Sequence, residues 1–129
     1  MRYRVALSVP AGTTKDNYVS KTLLLVAGRI TEIEIYFPAG QSGLVHVAIF
    51  RQEHQLWPTS PNESFIGDDT HIIIHEDYLI SNEPYSLEVR GWAPNASLDH
   101  TVYVDMSIEA LKMERVTTAR YVRLPEGAL

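Results

Sequence analysis

The sequence predicts an all-β fold: a single jelly-roll-like β-sandwich of about eight strands, with an extended C-terminal arm. Three observations lead there. Short segments of alternating apolar and polar residues recur along the first 111 residues, cut by Gly, Pro, Asn and Asp clusters at regular spacing. No segment before residue 108 keeps a convincing 3.6-residue apolar period. The final 18 residues, KMERVTTARYVRLPEGAL, follow the last strand pattern with no obvious partner strand. The chain therefore divides into a sandwich body, 1–111, and an arm, 112–129.

The elements follow in order. RYRVALSV puts Tyr3, Val5 and Leu7 on one face and Arg2, Arg4 and Ala6 on the other. PAGTTKDN (10–17) is a turn cluster, and YVSKTLLLV (18–26) is a second strand. RITEIEIYF (29–37) alternates cleanly, with Ile33, Ile35 and Phe37 inward against Glu32, Glu34 and Tyr36. LVHVAIFRQ (44–52) turns Val45, Val47 and Ile49 inward. EHQLWPTSPNESFIGDD (53–69) reads as one long irregular segment, because its two prolines and Gly67 forbid a long element. THIIIHEDYLI (70–80) is β-branched and aromatic, YSLEVRGW (85–92) alternates, and HTVYVDMSIEAL (100–111) is the cleanest strand. A short helix over IEALKMERV (108–116) competes with the end of that strand pattern.

Size and composition narrow the function. The chain has 129 residues, 45% of them apolar and 21% charged, enough for one domain with its own core. It has no cysteine, which excludes thiol catalysis and Cys-ligated metal. A net charge of −5 argues against a nucleic-acid partner. Residues 1–111 hold 7 Lys+Arg against 14 Asp+Glu, a balance of −7, and residues 112–129 hold 4 against 2, a balance of +2. An acidic body with a basic arm suits self-assembly. Met1 leads straight into a charged strand pattern rather than a signal peptide, and no apolar run reaches membrane length, so synthesis in a cytoplasm and no membrane partner are expected. Without a phosphate loop, dinucleotide fingerprint or calcium-loop spacing, no cofactor is expected.

Few residues gather as catalytic groups do. His71 and His75, near Asp69, could serve a small metal-dependent enzyme. Four residues along a strand separate them by about 13 Å, too far to share an ion readily, so no metal site is assigned. No nucleophile elbow of the G-x-S-x-G kind occurs. Trp57, Trp92 and Tyr78, with Tyr85 near, could form a platform for stacking sugars, making the domain a glycan- or receptor-binding module. The competing reading is that Trp57 anchors its long loop by packing inward.

The arm carries the stronger lead. RYVRL (120–124) has strand character after the body is complete, and such a segment can add to the open sheet edge of another subunit. Arg115, Arg120, Tyr121, Val122, Arg123 and Leu124 are the expected partner-binding residues: apolar side chains to fill pockets, basic ones to meet an acidic surface. Residues Met1 to Arg4 could cross to a neighbour in the same way.

The phrases PAGTTKDNYVSKTLLLVAGRITEIEIYFPAGQSGLVHVAIF, HQLWPTSP, the GDD turn and PYSLEVRGW resemble small all-β structural proteins of tailed bacteriophages, of the capsid decoration or cement type. The resemblance spans roughly residues 3–108 and leaves out the arm. It implies a non-enzymatic virion component that forms homo-oligomers, often trimers, and binds a major capsid or other virion protein.

Overall fold

The computed structural model describes residues 1–111. They form eight strands: β1 (Arg2–Val9), β2 (Val19–Leu24), β3 (Gly28–Phe37), β4 (His46–Arg51), β5 (His54–Trp57), β6 (Thr70–Ile80), β7 (Ser86–Trp92) and β8 (His100–Ala110). The one helical piece among the described residues is a 3₁₀ turn, Lys15–Asn17. Two antiparallel four-stranded sheets, ordered β1-β8-β3-β6 and β2-β7-β4-β5, make a β-sandwich. The pairing is nested. First strand pairs with last, second with seventh, third with sixth and fourth with fifth, as in one long hairpin folded across both sheets.

Strand periodicity explains the core. Every second residue of β8 from Val102 to Ile108 is buried, as are Val47 and Ile49 of β4, and the two inner faces close over one apolar cluster. The alternation in β3 has a fault: Ile30 and Ile33 are both fully buried although three positions apart. A register shift between Ile30 and Glu32 leaves Thr31 as an extra residue against β8 and restores the inward face, while against β6 the extra residue is on β6, at Glu76-Asp77. Gly28 is required nearby, because a Cβ there would strike the Glu109 carbonyl oxygen and come within 2.9 Å of Ile108 Cγ2.

Two expectations need correction. The segment 53–69 is not wholly irregular: β5 pairs with β4 through a tight connection in which Gln52 adopts φ +57°. A four-residue strand with a polar start lacks the run of alternation that sequence reading needs. Residues 1–4 do not leave the body either. Arg2 and Arg4 lie in register with Ser107 and Asp105, Met1 N donates to Ile108 O at 2.9 Å, and Ile108 N donates to Met1 O at 2.7 Å. The backbone groups of this segment that face β8 are paired within its own sheet, which holds it there.

Candidate interaction surface

The outer face of sheet β1-β8-β3-β6 brings side chains from four strands into cross-strand rows. One row runs Ala6, Tyr103, Tyr36, His71, the next Arg4, Asp105, Glu34, Ile73, and the third Arg2, Ser107, Glu32, His75. In the first, Tyr36 stacks on His71 with centroids 4.2 Å apart and lies 6.1 Å from Tyr103. In the second, Arg4 Nε donates to Asp105 at 2.7 Å, and its guanidinium sits 5.5 Å above the Tyr103 ring. Its pKa is raised, chiefly by the Asp105 hydrogen bond and then by that carboxylate's charge. Arg2 crosses between rows to reach Glu34 at 3.0 Å, and Glu34 accepts from His71 Nδ1 at 2.8 Å.

The charged groups of this face thus answer one another across the sheet, but the middle row ends on β6 in an apolar side chain. There Ile73 is 52% exposed and Leu79 41% exposed. Among the described residues β6 is the edge of its sheet, eleven residues long, hydrogen-bonded to β3 on one side only. Apolar side chains together with a free backbone edge make a template for pairing.

The other edges are shorter or shielded. β5 has four residues. Lys21 of β2 occupies the face shared with Leu23 and is itself exposed, a charge that discourages pairing. β1 packs beside β2 of the opposite sheet, closing that side of the sandwich.

No protein-family model matches the chain, and no curated protein matches it.

The sugar platform is not assembled. Trp57 and Trp92 are 4% and 7% exposed, leaving little of either indole for a ligand to stack on. Trp57 meets Tyr78 edge-on at 5.5 Å and donates its Nε1–H to Glu76, so it anchors its segment, the competing expectation. Trp92 stacks on His46 at 5.8 Å, with Lys15 Nζ 5.5 Å from its ring centre. Tyr85 lies elsewhere, lining an open depression of about 590 Å³ with Leu24, Pro84 and Gln52.

His71 and His75 share one exposed face of β6, as expected, with Ile73 between them. His71 is engaged by Glu34 and Tyr36. Asp69 precedes the strand in a left-handed conformation, φ +51°. Among the described residues, no three His, Cys, Asp or Glu side chains group as a metal ion needs. The expected partner-binding residues Arg115, Arg120, Tyr121, Val122, Arg123 and Leu124 lie outside the described residues.

One pairing was invisible in the sequence: His46 Nδ1 lies 2.9 Å from Ser64 Oγ. Burial, and then Lys15, lower the His46 pKa from its ordinary 6.5. A neutral imidazole beside a hydroxyl is the first half of a nucleophile–base pair. Its ring makes no hydrogen bond to an orienting carboxylate among the described residues, and it stacks on Trp92 instead.

Sequence reading also missed the cluster around Arg90. This arginine is 7% exposed, its guanidinium 3.9 Å from the Phe50 ring centre and 4.5 Å from that of Tyr18. Burial pulls its pKa down, but hydrogen bonds to Glu88 and Glu53 outweigh that and hold it raised. The alternation of YSLEVRGW placed Glu88 and Arg90 on one face, but Phe50 and Tyr18 come from remote segments.

Proposed function

We propose that this protein is a non-enzymatic structural subunit of a virion, a capsid decoration or cement protein of the tailed-bacteriophage kind. The observation that carries this reading is the nested strand pairing. A hairpin folded so that β1 meets β8 and β4 meets β5 supports reading the sandwich as a jelly roll, a form used by viral capsid and lectin domains. Fold alone does not settle role. Two further features favour assembly: an acidic body of −7 next to a basic arm of +2, and a long β6 edge with exposed apolar side chains. The buried state of Trp57 and Trp92 weakens the glycan-binding alternative.

In this role the body is a rigid block and its work is mechanical. Copies bury edge and arm surface against one another and against a shell protein, and several weak contacts per copy multiply into firm attachment. Homo-oligomers, with trimers favoured, and a major capsid protein are the partners this implies. The test is co-sedimentation of the purified protein with empty capsids of a tailed phage whose structural genes encode it. Saturable binding at a fixed ratio to the major capsid protein supports the reading; absence of binding at all concentrations refutes it.

A further inference from the structure

We propose that the free edge of β6 receives residues 120–124 of a second copy of this chain as an added antiparallel strand. This rests on the reading of the chain as an assembly subunit, and it names the site and the partner segment.

The acceptor is defined by what it lacks. β6 carries no Lys, Arg or Pro over its eleven residues, and its first six, THIIIH, are free of carboxylates. Natural edges of this length are usually blunted by such residues, by bulges or by a covering segment. On β6 the irregularity and the acidic pair Glu76-Asp77 sit toward the other end. The core-side residues Ile72 and Ile74 are only half-buried, so apolar surface remains beside the edge.

The donor fits in one register. Glu76, Ile74 and Ile72 share the core-side face of β6. Arg120, Val122 and Leu124 share one face of an extended 120–124. Laid antiparallel, Arg120 comes opposite Glu76, Val122 opposite Ile74 and Leu124 opposite Ile72: charge meets countercharge, and apolar meets apolar twice. A parallel alignment reverses that match, putting Arg120 on the isoleucines and Leu124 on the carboxylate. Pro125, unable to donate to a ladder, comes immediately after the matched stretch and ends it.

Reach permits the crossing. The described chain ends at Leu111, whose N–H donates to Ala27 O at 3.0 Å at the end of the sheet where Gly28 pairs with both Ile80 and Ala110. Residues 112–119 then span up to about 27 Å when extended.

The experiment compares the full-length chain with Val122→Pro, which removes a ladder donor outside the body, and Ile73→Lys, which puts a charge opposite Arg123 on the exposed face. Native mass and amide hydrogen exchange of residues 70–76 are followed against protein concentration. The expected result is concentration-dependent association with matching protection of β6 amides, both weakened at least tenfold in each variant while circular dichroism stays unchanged. Association that persists in Val122→Pro overturns the pairing but leaves the assembly reading intact. Protection of β6 that is independent of concentration, in a chain that stays monomeric, overturns the pairing between copies. A monomeric chain with unprotected β6 that nevertheless binds capsids overturns the pairing alone; one that also fails to bind overturns both.

Discussion

Trp57 donates its indole N–H to the Glu76 carboxylate at 3.1 Å, across the gap between β5 of one sheet and β6 of the other. Among the described residues no backbone ladder joins these two edges, and side chains bridge that flank: Trp57 on Glu76 and Tyr78, and Arg51 on the Tyr78 hydroxyl at 3.4 Å. The indole is also part of the apolar core. Trp57→Ala is expected to cost about 3–5 kcal/mol of unfolding free energy, the usual loss for a large buried aromatic. Trp57→Phe keeps most of the packing but removes the N–H, and about 1 kcal/mol is expected. Urea unfolding of the two variants checks both; equal losses would mean that the hydrogen bond, rather than the packing, dominates.

The two tightest glycines differ in kind. At Gly91 an added Cβ meets the side-chain ends of Leu7 at 2.7 Å and Val9 at 3.0 Å, which can shift by rotation. At Gly28 it meets a backbone oxygen of β8, which cannot move without breaking the sheet. Gly28→Ala is therefore expected to destabilise by about 2–3 kcal/mol and Gly91→Ala by about 1 kcal/mol. Thermal or urea midpoints of the pair, in the opposite order, would contradict this placement of strain.

Much of the fold was legible because the strands alternate. The segment 70–80 was read with the bounds of β6, and Val45, Val47 and Ile49 were placed inward, where all three are fully buried. What could not be read depended on geometry between segments. β5 is too short to carry a pattern, and the fault at Ile30 needs the neighbouring register to be seen. The outward position of Ile73 was implied once His71 and His75 shared a face. Its importance emerged only when β6 proved to be an edge, because alternation gives the face of a residue and never the place of its strand in the sheet.

His46 gives a pH signature. Its folded pKa is lowered below 6.5, so the unfolded chain binds the proton more readily. The stabilising contribution of the neutral ring is therefore complete above the unfolded value and is lost as pH falls below it. Stability measured from about pH 5 to about pH 8 should therefore rise with pH across the acid part of that range, and His46→Phe should flatten that component. An unchanged pH slope in the variant would show that other groups set it.

Gln41 is 1% exposed, with its amide nitrogen donating to Thr101 O at 2.9 Å and its backbone N–H donating to Asp68 at 3.1 Å. Gln41→Ala strips the Thr101 carbonyl of that donor and leaves a void, and a loss of about 1–3 kcal/mol is expected. Asp68→Asn retains an acceptor oxygen for Gly40 and Gln41 but loses the charge, so a smaller loss, about 0.5–1 kcal/mol, is expected in the same unfolding assay.

On the proposed function the sandwich stands as a finished body and residues 112–129 serve to grip another molecule. Light scattering and capsid binding of the full chain beside a version ending at Leu111 test it most directly. The shortened protein is expected to retain its unfolding midpoint and its β-sheet circular dichroism, but neither to associate nor to decorate capsids. A shortened protein that assembles and binds as the full chain does, or one that has lost its fold, would contradict it.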